Sequence, residues 1–137
     1  METRLYQTRD LNLQMIAEAL VFEYRAQGYE AQSFGDANQT VVQLKKESTL
    51  RSITGLNKAL TISLRRVNEG TDVKVGAQDW VDQMAVGAVG LVIHPLLITA
   101  AIGAYQQNSV IHDILLSIDR HIRQQQPQVQ FSVPPTL

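Results

Sequence analysis

The chain has 137 residues, 45% of them hydrophobic and 18% charged, with a formal net charge of −1. That length suits one domain able to bury a core without metal or disulfide staples. Cysteine is absent, which excludes disulfides, thiol catalysis and cysteine-held metal or iron–sulfur sites, and the near-neutral charge leaves no global field to draw the protein to nucleic acid or a membrane.

In chain order, "TRLYQT" suggests a short first strand. The stretch from Asp10 to Gly28 has helical spacing: Leu13, Ile16, Ala17, Leu20 and Tyr24 form one apolar stripe. Asp10 is the expected cap at its start, and Gly28 suits the left-handed position after its end. "YEAQSF", the turn residues "GDANQ" and "TVVQLKK" follow as a hairpin. "ESTLRSITGLNK" breaks this pattern and is expected to be a loop with a short helical piece. The best hairpin comes next, "ALTISLRRV" and "DVKVGA" about the turn "NEGT". There Leu60, Ile62, Leu64, Val73, Val75 and Ala77 alternate with polar residues, which predicts a sheet with one apolar and one wet face.

Beyond this hairpin, Asp79 is the expected start of a helix, with Asp82 as its acidic partner. Residues 83–112 contain no Asp, Glu, Lys or Arg. Within them, "MAVGAVGLVIHPLLITAAIGA" (84–104) poses a choice between membrane span and protein interior. Nine of its twenty-one residues are Val, Leu or Ile, worth about −3 to −5 kcal/mol towards insertion. Against a span, His94 and Pro95 fall at its centre, and the flanks carry Asp79, Asp82 and Asp113 rather than a cluster of cations. Trp80 and Tyr105 bracket the stretch as interfacial anchors would. Proline removes a donor and restricts the residue before it, so two helical segments meeting at His94–Pro95 are expected. Small residues such as Gly87, Gly90 and Ala101 suit close helix contacts. A last amphipathic helix, 109–126, carries Val110, Ile111, Ile114, Leu115, Ile118 and Ile122, with Asp119 and Arg123 placed to pair at i,i+4. Pro127 ends it. Residues 127–137 are expected to be an extended or disordered tail after a single domain of residues 1–126.

Catalytic motifs are missing. There is no Gly-x-Ser-x-Gly elbow and no phosphate loop. Glu18 and Glu23 lie five apart, which does not support paired-carboxylate chemistry. His112 and His121 are nine apart, not at the spacing of a helical metal pair. His94 has apolar surroundings and is expected to be a core group or cap. The basic residues offer one further lead. Lys45, Lys46, Arg51, Lys58, Arg65 and Arg66 are half of the chain's twelve Lys and Arg, and a shared sheet could gather them into a patch for an anionic ligand. With no aromatic residue between Phe34 and Trp80, nucleic acid is disfavoured there.

The sequence therefore predicts an α+β fold: an antiparallel sheet of about four strands, covered by an N-terminal helix and a C-terminal Gly/Ala-rich helical region. The expected function is a non-catalytic interaction or assembly module without cofactor. It would self-associate or dock on a protein partner through the helices of 84–118, using Trp80, Gly87, Gly90, His94, Pro95, Ala101, Tyr105, Ile111 and Leu115. A peripheral or integral membrane protein using the same helices and the basic patch is the first alternative. A binding domain for an apolar small molecule is the second. The N-terminal residues hold no apolar run of signal-peptide length, so the expected location is cytoplasmic, with membrane association as the variant.

Overall fold

In the computed structural model, which describes residues 2–46, 58–81 and 109–133, the strands form one antiparallel sheet. The elements run β1 (Glu2–Tyr6), α1 (Leu13–Ala26), β2 (Glu30–Gly35), β3 (Gln39–Lys45), β4 (Lys58–Val67), β5 (Gly70–Asp79), α2 (Ser109–Gln125) and β6 (Phe131–Ser132). The sheet has six strands in the order β2-β3-β4-β5-β1-β6. The class is α+β, as the patterning predicts, but both hairpins join one sheet and the chain termini extend it. β1 adds to β5 with Arg4 opposite Val73, and β6 adds to β1 with Phe131 opposite Tyr6.

α1 starts two residues later than expected. Asn12, not Asp10, caps it, accepting from the Met15 N–H at 3.1 Å. Asp10 instead takes a positive φ of 49° and lies 3.8 Å from Arg66. The choice follows burial: Leu11 and Leu13 are both buried, so the chain must enter the core before the helix begins. At the other end Gly28 adopts φ 91°. The Tyr29 and Gln27 N–H groups both donate to the Tyr24 carbonyl at 3.0 Å, which closes the helix end.

The core lies between the sheet and the two helices. Leu44, Leu60, Ile62, Leu64, Val73 and Val75 supply the sheet side. Leu13, Ile16, Leu20 and Tyr24 come from α1, and Ile111, Ile114, Ile118 and Ile122 from α2. Each fully buried aliphatic side chain here contributes about 1.5–3 kcal/mol. The opposite sheet face departs from the wet surface expected: Val41, Gln43, Ala59, Thr61 and Ser63 are all buried. Gln43 is fully paired on this face. Its amide donates to Thr61 Oγ1 at 3.1 Å and to the Asp79 carbonyl at 3.0 Å, and its oxygen accepts from the Val81 N–H at 2.9 Å. Paired polar groups can be buried where lone ones cannot.

Asp79 closes β5, opposite Lys58, rather than opening a helix. The expected loop at 47–57 and the uncharged stretch, with Gly87, Gly90, His94, Pro95, Ala101 and Tyr105, lie outside the described residues. Of the expected tail, residues 127–133 are described, and they dock on the sheet. Val129 is buried, and β6 pairs with β1. Arg123 fastens it, donating to the Val129 carbonyl at 2.8 Å while pairing with Asp119 at 2.8 Å.

Candidate interaction surface

A helix that gives its apolar stripe to the core should show a polar back. α1 does not. Met15 is 56% and Phe22 79% exposed. They lie seven residues apart, two turns along one face. Exposed Glu18 and Arg25 complete that stripe. It borders the end strand of the sheet: Glu18, Val21, Phe22 and Arg25 form an open groove of about 490 Å³ with Gln32 and Ser33 of β2. Further along, Ala17 and Glu18 line a second groove with Ser33, Phe34 and Gly35.

β2 is the end strand of the sheet, and among the described residues no strand pairs with its outer side. The Ala31 carbonyl accepts from Arg25, at 3.2 Å from Nε and 2.8 Å from the terminal nitrogen. It therefore points away from β3. By strand alternation, the backbone groups of Ala31, Ser33 and Gly35 point outward together. An edge of peptide donors and acceptors thus lies beside the exposed Met15–Glu18–Phe22–Arg25 face of α1.

The structure divides the residues expected to form a basic patch. Lys45 ends β3, with its ammonium 5.8 Å from the Trp80 ring. Lys46 packs over Tyr29 at 5.1 Å and donates to the Gln27 carbonyl at 3.3 Å. Arg65 is opposite Gln39, six residues along from Lys45, or about 20 Å at strand spacing. It lies 3.6 Å from Asp72. Arg66 points to the other face and donates to the Leu11 carbonyl at 2.8 Å. Arg51 and the Lys58 side chain lie outside the described residues. Antiparallel register thus sends these cations to opposite ends of the sheet. Of the expected interaction residues, Trp80 is half-buried after β5, and Ile111 and Leu115 are buried in the core. The apolar side chain that α2 exposes is Leu116, at 53%.

One cluster joins the helices. Ser117 and Arg120 donate to Glu23 Oε1 at 2.9 and 2.8 Å, and His121 Nε2 lies 3.0 Å from Oε2. Serine and histidine meet the carboxylate separately, so the histidine is not placed to take the serine proton. The geometry is that of a tie between α1 and α2. Among the described residues no group of three His, Asp or Glu side chains is placed to hold a metal ion, and no helix is long and apolar enough to cross a membrane.

The sequence did hold a signal for this surface. Met15 and Phe22 fall off the Leu13–Ile16–Leu20–Tyr24 stripe, at i,i+7 to each other. Two large apolar residues on the polar side of a strong helix mark a second buried face or a contact. No protein-family model, no curated protein and no solved structure matches this chain.

Proposed function

We propose that this chain is a non-catalytic interaction module that self-associates or docks on a protein partner. The observation that carries the reading is Phe22, 79% exposed, with Met15 exposed two turns away, on a helix whose other face is already in the core. Leaving an aromatic ring in water forgoes the stabilisation its burial would supply. A partner surface over α1 and β2 recovers it. The uncharged stretch 84–104 extends the same reading, since its small residues suit helix contacts. On α2 such contacts would use Leu116, because Ile111 and Leu115 serve the core. The module is assigned to the cytoplasm, with membrane association as the rival location.

The test is the mass of the chain purified without detergent, measured by sedimentation from low micromolar to near-millimolar concentration. A mass above the 15.3 kDa of one chain supports self-association. Recovery only in the membrane pellet supports the rival reading, and a strict monomer throughout rejects self-association.

A further inference from the structure

We propose that β2 pairs with β2 of a second copy about a two-fold axis near Ser33, making one continuous sheet with the two α1 helices side by side. This rests on the self-association reading above and names its surface.

The geometry supports it in three ways. First, α1 packs against β2 and β3, the two strands at this end of the sheet. Strands lie about 4.8 Å apart. Extending the sheet through β2 therefore brings the two α1 helices to one face on either side of the two-fold axis, where helices pack at about 8–10 Å. The side chains that β2 presents between them, Ala31 and Ser33, are small enough to permit it.

Second, the residues near the axis are the exposed ones. Ser33 lines both grooves, with Phe22 in one and Glu18 in both. Arg25 lies level with Ala31. Because α1 runs antiparallel to β2, a two-fold axis near Ser33 brings Phe22 towards its copy. It also sets Glu18 of one chain towards Arg25 of the other, a complementary arrangement.

Third, the outward backbone groups fall in register. With Ser33 opposite Ser33, the outward groups of Ala31 meet those of Gly35, and no charged side chain lies among these three residues. Arg25 already gives the Ala31 carbonyl two hydrogen bonds, so the pairing requires it to release one of them, and Glu18 of the other chain is there to receive the guanidinium.

The chain has no cysteine, so Ser33→Cys introduces a single reporter. Directly opposed hydrogen-bonded residues of antiparallel strands have Cα atoms about 5.5 Å apart, within disulfide reach. Mild oxidation should convert this variant to a covalent dimer, while Glu69→Cys, on the β4–β5 turn, should stay uncoupled. Sedimentation of Phe22→Glu should show a dissociation constant raised at least about tenfold, with an unchanged circular dichroism spectrum. Suppose the wild type dimerises, yet Ser33→Cys does not couple and Phe22→Glu does not weaken the dimer. That result overturns this surface but leaves self-association standing. A wild-type monomer at every concentration overturns both.

Discussion

Glu23 is held by three donors from α2, and its protonation should be felt by the whole fold. Burial pushes its carboxyl pKa up, but hydrogen bonds from His121, Arg120 and Ser117 outweigh that, and it lies below the ordinary 4.5. A depressed carboxyl contributes stability that is complete above its unfolded value and is lost as pH falls through the folded one. Glu23→Gln should therefore cost about 1–3 kcal/mol near neutrality. The gap to wild type should close as pH falls below 4.5. Denaturant unfolding at several pH values measures this, and a gap that persists in strong acid would remove the carboxylate charge from the account. Two glycines make a second contrast. Gly70 has φ 146°, and a Cβ there would run into the Tyr6 carbonyl, whereas one at Gly28 would meet only the end of Lys46. Gly70→Ala should cost at least about 2 kcal/mol. Gly28→Ala should cost about 1 kcal/mol, from its left-handed φ alone. Equal losses in thermal unfolding would contradict the close approach at Gly70.

At the scale of elements, α1 was legible over most of its length because its stripe repeats at helical spacing, and α2 for the same reason. The start of α1 was not, since Asp10 and Asn12 are both good caps and the burial of Leu11 decides between them. Asn12→Ala should cost about 1 kcal/mol and Asp10→Ala only a few tenths, from its left-handed φ; the reverse order in urea unfolding would restore Asp10 as the cap. The glutamines at the end of α2 were equally opaque. Gln125 bonds both the N–H and the carbonyl of Asn12, and Gln126 those of Arg9. These side chains act as a surrogate strand for the segment leading into α1, a role that depends on contacts more than 110 residues apart in the chain. The Asp119–Arg123 pair, by contrast, is local and was visible from i,i+4 spacing alone. The candidate surface falls between these cases. Phe22 and Met15 stand off the stripe in sequence, but that β2 lies at the sheet edge beside them follows from strand order.

For the whole molecule, the strand order was the hidden variable. Each hairpin was readable from alternation and turns, but nothing local says that the first strand closes on β5 or that the segment after α2 returns to it. β6 is two residues long, too short for any periodicity, and it is held from outside itself. Phe131 lies against Tyr6 with ring centroids 5.1 Å apart, and Arg4 sits 4.6 Å from the Phe131 ring. Tyr6 in turn donates to Asp119 Oδ1 at 2.8 Å, and Arg123 links Asp119 to the Val129 carbonyl. Burial, first of all, lifts the Tyr6 hydroxyl to about 12 from 10.0, with the Asp119 charge adding to it. A raised group contributes stability that is complete below its unfolded value, here 10.0, and is lost as pH climbs towards the folded one. Ending the chain after Gln126 would strip away the contacts that hold this corner. The buried Val129 side chain goes, at about 1.5–3 kcal/mol. The Arg123 guanidinium loses its carbonyl. β1 becomes the end of the sheet with its peptide groups uncovered, which invites pairing between chains. The truncated chain should unfold at lower temperature and scatter light on standing, while the Asp119–Arg123 pair persists within α2. If truncation leaves both the unfolding temperature and the scattering unchanged, β6 adds nothing to the fold and the sheet ends at β1.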